Sequence, residues 1–252
     1  MDALFWRDRY REQVGWSGDT RRAVFDHIRA KAGARLLEVG SGYGALLGAL
    51  HAEGFTRGMG LDIDLASLLA SESASPQVCA DGLRLPAREN CVDICLSHFF
   101  LLWVADPLAA LREMARVTVP GGWVIALAEP DYGARLDHPP PLAALGRRQS
   151  RALASQGADI RMGRQLGGLF HQAGLGNITC GIQPARWQAA RDADGSESEW
   201  RVLEKDLAGI ATHEEMEAFR RQDEDARQDG TRVLYVPTFY ACGQVSEAPR
   251  PG

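Results

Sequence analysis

A glycine-rich segment that follows a short apolar stretch constrains the fold of this chain more than any other feature. The apolar stretch is residues 35–39, and the glycines after it are Gly40, Gly42 and Gly44. Glycine allows a tight backbone turn and lets a ligand approach without a clash from Cβ. A helix predicted over residues 45–51 then directs unpaired N–H groups and a positive dipole end toward the same turn. The pattern predicts a strand, a ligand-binding turn and a helix in succession.

Strand-like and helix-like segments continue to alternate along the chain. Further strands are predicted over residues 58–62, 77–80, 92–96, 123–128, 178–182 and 233–240. Further helices are predicted over residues 65–71, after the N-cap residue Asp106, and around residues 166–173. Such alternation predicts an α/β fold with parallel strands and with helices on both faces of the sheet.

The domain organisation follows from where this alternation stops. We expect a single domain over residues 1–252, made of a core of residues 34–186 and 231–246, an N-terminal helical lid of residues 1–33 and a helical insertion of residues 187–230. The lid contains Trp6, Tyr10 and Trp16, which either close over a pocket or pack in the ordinary way. In the insertion, Thr212 and Glu215 have the spacing of a capping box at a helix N-terminus.

Charge and apolar runs restrict the partners that the chain can have. Its 252 residues include 28 Lys and Arg against 33 Asp and Glu, which gives a formal net charge of -5. Binding to a phosphate backbone needs clustered basic residues, so nucleic acid is not the expected partner. The longest apolar run, residues 99–105, is far shorter than the roughly 20 residues of a membrane span, and the first residues lack a signal-peptide pattern. We therefore expect a cytoplasmic protein without a membrane span, and its oligomeric state stays open.

Two cysteines, Cys91 and Cys95, lie in or beside the strand predicted over residues 92–96. They could form a metal-binding pair, but buried free cysteines commonly behave as small hydrophobic residues. We expect no metal site.

Three acidic residues stand near the ends of predicted strands. Asp62 ends the second strand, eighteen residues after Gly44, where its carboxylate could accept hydrogen bonds from both hydroxyls of a ribose. The alternative is a helix N-cap, a role that Asp64 could fill as well. Glu38 lies two residues before the first glycine, where a carboxylate suits an ammonium group better than a pyrophosphate. Asp81 follows the third strand, where it could accept from an adenine amino group or stabilise an Asp-Gly turn.

These acids and the glycine segment predict a cofactor that contains adenosine, but the segment alone does not decide which one. Gly40-Ser41-Gly42-Tyr43-Gly44-Ala45 also satisfies the tolerant dinucleotide pattern G-x-G-x-x-A. An NAD-dependent oxidoreductase is therefore an alternative.

Five segments, in order, resemble the class I S-adenosylmethionine (SAM)-dependent methyltransferases, and are closest to the type 11 branch that includes quinone-biosynthesis enzymes. They are Glu38-x-Gly40-x-Gly42-x-Gly44, Gly60-Leu61-Asp62-Ile63-Asp64, Asp81 to Pro86, Val92 to Pro107 and Glu113 to Gly122. The resemblance covers about residues 34–130. It implies a SAM-dependent methyltransferase with a Rossmann-like seven-stranded sheet, of order 3-2-1-4-5-7-6 and with the last strand antiparallel. Residues 233–240 fit that last strand.

The resemblance also implies roles for the matching positions. The residues that would contact SAM are Glu38 at its amino group, Gly40, Gly42 and Gly44 in the loop, Asp62 at the ribose, Ile63 against the adenine, Asp81 and Gly82 at the adenine edge, and Ser97 near the methionine moiety. The segment Leu96-Ser97-His98-Phe99 lacks the Asn/Asp-Pro-Pro-aromatic motif of families that methylate amino groups of nucleic acids. We therefore expect a small-molecule acceptor. A non-catalytic SAM-binding protein with a regulatory or assembly role is a second alternative.

Candidate residues at the acceptor follow from the rule that open α/β sheets bind ligands at the carboxyl ends of their strands. The rule nominates His98 after the fourth strand, and Asp131 and Tyr132 after the fifth. Histidine titrates near neutral pH, so His98 is the predicted catalytic base unless its loop satisfies it. Asp131 and Tyr132 are the predicted substrate residues unless they form a turn.

Overall fold

The computed structural model describes residues 3–184 and 193–246. Within these ranges the chain forms two compact units. The first takes its described residues from Met1–Glu129, Met162–Gln183 and Thr238–Gly252, and the second from Pro130–Arg161 and Pro184–Pro237. The second unit is larger than the predicted insertion because it also includes residues 130–161. That one domain spans the chain stays a prediction.

Helices and strands alternate through the first unit as the sequence predicts. The strands of the described residues are β1 (Leu36–Val39), β2 (Gly58–Asp62), β3 (Gln77–Cys79), β4 (Val92–Ser97), β5 (Thr118–Pro130), β6 (Leu136–His138), β7 (Gly176–Ile182), β8 (Val233–Tyr235) and β9 (Thr238–Gln244). The helices are α1 (Ala3–Trp16), α2 (Gly18–His27), α3 (Ala45–Ala52), α4 (Leu65–Leu69), α5 (Pro107–Val117), α6 (Leu142–Ser155), α7 (Met162–Gln172), α8 (Ala193–Asp206) and α9 (His213–Gln228). Over residues 3–184 and 193–246, no helix has the length and hydropathy that crossing a bilayer requires.

Seven strands of the first unit form one sheet, in the order β3-β2-β1-β4-β5-β9-β7. Strands β1 to β5 pair in parallel with one another, whereas β7 and β9 pair antiparallel. Counted along the chain, the sheet strands follow the order 3-2-1-4-5-7-6, so the predicted Rossmann-like topology is confirmed. Because β1 to β5 are parallel, their carboxyl ends meet at one edge of the sheet, where ligands bind in folds of this kind.

The centre of this sheet and helix α2 form the apolar core of the first unit. Strand β1 is buried along its whole length, and Leu96, Ile125 and Leu127 from β4 and β5 are 0 % exposed. Val24 and Phe25 from α2 pack into the same cluster. Each fully buried side chain of this kind contributes about 1.5–3 kcal/mol. The apolar runs of the sequence therefore hold the strands in place, and the polar residues at their ends are left for other roles.

The strand predicted over residues 233–240 was wrong in one respect, because it is two strands. Strand β8 pairs with β6 in the second unit, and β9 pairs with β7 in the first. Pro237 lies between them and has no backbone N–H to donate to a ladder, so a continuous strand is interrupted there. The antiparallel strand of the large sheet is therefore β9.

The second unit is built from α6, α8, α9 and the two-stranded sheet of β6 and β8. Its apolar cluster contains Leu142, Leu145, Ala152, Trp200, Leu203, Leu207 and Ala226. The predicted capping box is confirmed, because Glu215 N donates to Thr212 Oγ1 and Thr212 N donates to a Glu215 carboxylate oxygen. The two helices predicted for the insertion are α8 and α9.

Candidate functional site

The glycine loop between β1 and α3 has a backbone that only glycine adopts easily. Gly40 and Gly42 have φ angles of +77° and +48°, in the region that residues with a Cβ rarely occupy. Space is also tight, since a Cβ on Gly40 would lie 2.5 Å from Cδ2 of Phe100, and one on Gly42 would lie 2.7 Å from Cε2 of Tyr10. The loop is held to β2 by Gly40 N and Ser41 N, which donate to the Leu61 carbonyl at 2.8 and 2.9 Å. The loop therefore has a fixed backbone that two aromatic rings approach closely at its glycines.

Asp62 and Asp64 divide the two roles that the sequence left open. One carboxylate oxygen of Asp62 accepts from Gly42 N at 2.7 Å, and the other accepts from Asp64 N at 2.9 Å. Asp64 is the N-cap of α4, and its side chain accepts from Ala66 N at 3.0 Å. Asp62 is therefore not the helix cap, and it fastens the glycine loop to the end of β2. A carboxylate has about four acceptor positions, so Asp62 keeps the capacity to accept from a further donor.

Two buried polar atoms without a partner lie on the neighbouring strands β1 and β4. Glu38 is 3 % exposed and Ser97 is 0 % exposed. Among the described residues, neither Oε2 of Glu38 nor Oγ of Ser97 has a hydrogen-bond partner. Burial raises the pKa of Glu38 well above its usual value, and the charge of Asp62 raises it further. An unpaired buried polar group costs about 1–3 kcal/mol, so these two atoms indicate a place where a ligand supplies the missing partner.

Part of the chain is similar in sequence to known proteins. Residues 37–126 match the type 11 family described as "Methyltransferase domain". The chain is 37% identical over 115 residues to a demethylmenaquinone methyltransferase of Corynebacterium urealyticum, covering 45% of this chain and 47% of that protein. It is 35% identical over 97 residues to a malonyl-[acyl-carrier protein] O-methyltransferase of Marinomonas sp., covering 36% of each. The chain thus spans less than half the length of these two relatives.

Solved structures extend the likeness in fold to most of the chain. A methyltransferase of an antibiotic biosynthesis pathway from Anabaena variabilis superposes with a TM-score of 0.65 and 13% identity, covering 87% of this chain and 94% of that one. Residues 37–126 are thus similar to the methyltransferase domain family, and the fold over most of the chain is that of solved methyltransferase structures. The family match and solved structures that hold SAM or SAH indicate SAM as the cofactor. The orphaned carboxylate oxygen of Glu38 fits that cofactor, because SAM carries an ammonium group on its methionine moiety.

The residues predicted to meet the adenine follow β2 and β3. Ile63 is 72 % exposed, so its side chain is free to pack on a flat ring. Asp81 is exposed, and its Oδ1 accepts from Leu83 N at 2.9 Å, as in the turn that the sequence allowed as the alternative. Gly82 is buried. Their contacts with adenine stay predictions.

Two residues beside the candidate site escaped the sequence reasoning. The ring of Phe100 lies against both Gly40 and Gly82, since a Cβ on Gly82 would come within 2.7 Å of its Cζ. Glu129, at the carboxyl end of β5, is fully buried and accepts from the backbone of the loop that carries Phe100. Burial raises the pKa of Glu129 to about 7. A charged residue directly after the apolar run Ala126-Leu127-Ala128 was the available signal.

His98 follows β4, as predicted, but its environment differs from that of a typical base. It is half-buried, its Nε2 lies 3.0 Å from Ser17 Oγ, and its ring packs edge-on against Phe99 at 4.8 Å. Burial, and then the charge of Arg21, lowers the pKa of His98 to about 3. The imidazole is therefore neutral at neutral pH and a weak proton acceptor. The catalytic role of His98 stays a prediction. Under the alternative, in which the surroundings of the histidine satisfy its ring, the hydrogen-bond partner is Ser17.

The predicted substrate residues Asp131 and Tyr132 belong to the second unit. Asp131 is 1 % exposed and precedes a single 3-10 turn over Tyr132–Ala134. The turn that the sequence offered as the alternative is thus present, and the role of both residues at an acceptor stays a prediction.

The predicted N-terminal lid brings one aromatic residue onto the glycine loop. Tyr10 on α1 lies over Gly42 and packs edge-on against Tyr43 at 5.3 Å and Trp6 at 6.5 Å. Burial raises the pKa of Tyr10 to about 12, with a further contribution from Asp62. Trp16 is instead 54 % exposed. Helix α1 therefore covers one side of the loop through Tyr10.

The cysteines of β4 and its approach differ in burial. Cys95 is buried and Cys91 half-buried, and burial raises the pKa of the Cys95 thiol. Within the described ranges, no cluster of three or more His, Cys, Asp or Glu side chains could hold a metal ion.

Proposed function

We propose that this chain transfers the methyl group of SAM to a small-molecule acceptor. The observation that carries the proposal is the buried Oε2 of Glu38, which has no partner among the described residues and lies next to the glycine loop. A buried carboxylate without a cation is costly, and the ammonium group of the cofactor removes that cost. A pyrophosphate, the corresponding group of NAD, would add negative charge beside Glu38 and Asp62.

The cofactor would be held along the carboxyl ends of β1, β2 and β3. Glu38 would accept from the ammonium group and Asp62 from the ribose hydroxyls, with Ile63 on the adenine face. Asp81 and the Gly82 N–H would bind the adenine edge, and Ser97 would lie near the methionine moiety. When bound, SAM supplies an activated methyl group on a sulfonium centre.

The main contribution of the protein to such a transfer is orientation, which is worth up to roughly 7–11 kcal/mol in well-aligned systems. His98 follows Ser97 directly, at the end of the strand that adjoins the glycine-loop strand. With a pKa near 3, His98 would orient an acceptor through a hydrogen bond more readily than it would take its proton. Asp131 and Tyr132 remain candidates for the acceptor side.

A small-molecule acceptor is supported by the names of the relatives, which act on a demethylmenaquinone and on a malonyl group carried by a protein. The formal net charge of -5 favours it over a nucleic-acid acceptor. A cytoplasmic location stays a prediction from the sequence.

A binding comparison tests the proposal and separates its alternatives. Calorimetry should show binding of SAM and of S-adenosylhomocysteine (SAH), and no binding of NAD at the same concentration. Glu38→Gln should weaken SAH binding by about 1–3 kcal/mol, the usual cost of losing a hydrogen bond to a charged group. NAD binding, or an unchanged SAH affinity in the variant, would contradict the proposal.

Turnover separates an enzyme from a regulatory or assembly protein that merely binds SAM. SAM should be converted to SAH when a panel of small quinols, phenols and carboxylic acids is offered. Methyl transfer to bulk RNA or DNA at low salt should be absent. Binding without turnover on any acceptor class would favour the non-catalytic alternative.

A further inference from the structure

Glu129 is a buried acid whose two carboxylate oxygens accept hydrogen bonds from three backbone N–H groups. Its Oε1 accepts from Phe100 N at 3.1 Å and from Leu101 N at 2.9 Å, and its Oε2 accepts from Leu102 N at 3.1 Å. The residue is 0 % exposed. Three consecutive N–H groups of the loop after β4 are thus fixed by one side chain from the end of β5.

Above its pKa of about 7, Glu129 is a carboxylate that accepts and cannot donate. A carboxylate accepts on both oxygens, whereas the amide of glutamine presents a donor in place of one of them. In a Glu129→Gln variant, at least one of the three N–H groups would face another donor. The shape of the side chain would be kept, and only its hydrogen bonding to the loop would change.

The loop that Glu129 fixes carries the ring of Phe100 to the centre of the cofactor site. A Cβ on Gly40 would lie 2.5 Å from the ring, and a Cβ on Gly82 would lie 2.7 Å from it. These two glycines belong to different segments, the glycine loop after β1 and the turn after β3. One ring therefore sets the spacing between the two segments that would hold opposite ends of the cofactor.

We propose that Glu129 is a positioning residue for the cofactor site, and that it acts through Phe100 by holding the loop of residues 98–103 against the two glycine segments. This inference rests on the proposed function, because the segments matter only if they bind SAM. It adds a role for the end of β5, which none of the direct cofactor contacts above includes.

The same sheet offers a control in Asp93, near the amino end of β4. Asp93 Oδ2 also accepts from a backbone group, Arg35 N at 2.7 Å, and the side chain pairs with the Arg35 guanidinium. Asp93→Asn therefore replaces a carboxylate that accepts from backbone by an amide, as Glu129→Gln does, but far along β4 from the carboxyl end. It should lower stability and leave cofactor affinity unchanged.

The experiment measures SAH affinity by calorimetry in the full chain, for Glu129→Gln, Phe100→Leu, the double variant and Asp93→Asn. We expect each of the first two to weaken SAH binding about tenfold, and the double variant to bind no more weakly than the weaker single variant. The amide NMR signals of Gly40 and Gly82 report the position of the Phe100 ring directly, because an aromatic ring changes the chemical shifts of nearby protons. Glu129→Gln should move these two signals in the direction in which Phe100→Leu moves them, and Asp93→Asn should leave them in place.

Wild-type SAH affinity in Glu129→Gln, or additive losses in the double variant, would overturn the inference. If Glu129→Gln does not fold, Phe100→Leu decides alone, since wild-type affinity in that variant would also overturn it. Failure of the wild-type chain to bind SAH would instead remove the proposed function, and the inference with it.

Discussion

The two units each bury a cluster of polar side chains, and the clusters differ in whether their polar atoms are paired. At the cofactor site, Glu38 and Ser97 each bury a polar atom that has no partner among the described residues. In the second unit, Asp137 and Asp223 are equally buried, but Arg232 bridges them and each has further donors. The comparison teaches that burial of charge alone does not mark a site. Burial of an unpaired atom does, because folding leaves its cost uncompensated.

The cluster of the second unit is a closed ion-pair network. Asp223 accepts from Arg227 Nε at 2.7 Å and from Trp200 Nε1 at 3.1 Å, and Arg135 Nε donates to Asp137 at 2.7 Å. Burial on its own would raise the pKa of Asp223, but the ion pairs with Arg227 and Arg232 outweigh it and the pKa is lowered. Such a network holds helices and strands together and offers no acceptor to a ligand.

The largest expected effect is therefore a loss of stability in the second unit. Asp223→Asn would leave Arg232 and Arg227 without their buried partner, and breaking a buried pair in this way costs about 3–5 kcal/mol. Urea unfolding measures the change. Asp225→Asn, at an exposed position of the same helix, should stay within about 0.5 kcal/mol of the wild type. A loss below about 1 kcal/mol for Asp223→Asn would break the distinction between the two clusters.

Glu129 predicts a pH dependence of stability with a definite sign. Its pKa rises from 4.5 to about 7 on folding, so between those values the folded chain binds a proton that the unfolded chain has released. The stabilisation is complete below about pH 4.5 and is lost as pH rises through 7, by about 3 kcal/mol at 1.36 kcal/mol per unit. Urea unfolding of the wild type and of Glu129→Gln between pH 4.5 and 8 checks this. If the free energy of unfolding changed with pH in the same way in both proteins, Glu129 would not titrate in this range.

Asp62 and Asp64 sharpen the comparison within the site itself. Asp62→Ala should weaken SAM binding by about 1–3 kcal/mol, since it removes the proposed ribose acceptor and the acceptor for Gly42 N. Asp64→Ala removes only the cap of α4 and should cost about 1 kcal/mol of stability at unchanged SAM affinity. Calorimetry measures the SAM affinity of both variants, and urea unfolding measures their stability. Unchanged SAM affinity in Asp62→Ala would reopen the NAD alternative.

His98 gives the smallest expected effect. His98→Asn should leave SAM affinity nearly unchanged and slow turnover about tenfold, which corresponds to ~1.4 kcal/mol of transition-state stabilisation. Because the pKa of His98 is about 3, the pH–rate profile of the wild type should show no limb from this residue between pH 5 and 8. If the variant loses SAM binding or unfolds without a specific rate effect, His98 is structural, in keeping with its contact to Ser17.

The sequence predicted the parts of the site that depend on neighbours along the chain. The glycine loop, the acid at the end of β2 and the order of the large sheet follow from short patterns and from strand–helix alternation. Glu129 and Phe100 could not be predicted in this way, because a side chain at the end of β5 accepts from backbone groups about 28 residues earlier in the chain. Nothing in a one-dimensional pattern indicates which backbone groups a buried carboxylate will meet.

The sequence also did not predict the buried polar cluster of the second unit, and the reason is physical. The contacts that define its polar cluster join Asp137 to Arg232, which are 95 residues apart in the sequence. Charged residues in a helical segment are usually solvated. Asp223 is instead buried against Trp200. Burial of a charge depends on the partner that the fold brings to it, and that partner is not a local property of the sequence.

The number of protons that are released or taken up when SAH binds tests the central claim most directly. The claim is that the unpaired carboxyl of Glu38 receives the ammonium group of the cofactor. Burial and the charge of Asp62 raise the pKa of Glu38 in the free chain. An ammonium group beside Glu38 would lower that pKa, so SAH binding should release protons from Glu38. Calorimetry in two buffers of different ionisation enthalpy measures that number. We predict net proton release for the wild type and none for Glu38→Gln, with 5′-methylthioadenosine, which lacks the ammonium group, releasing none from either protein. Equal proton release from the wild type and the variant, or none from the wild type, would contradict the account.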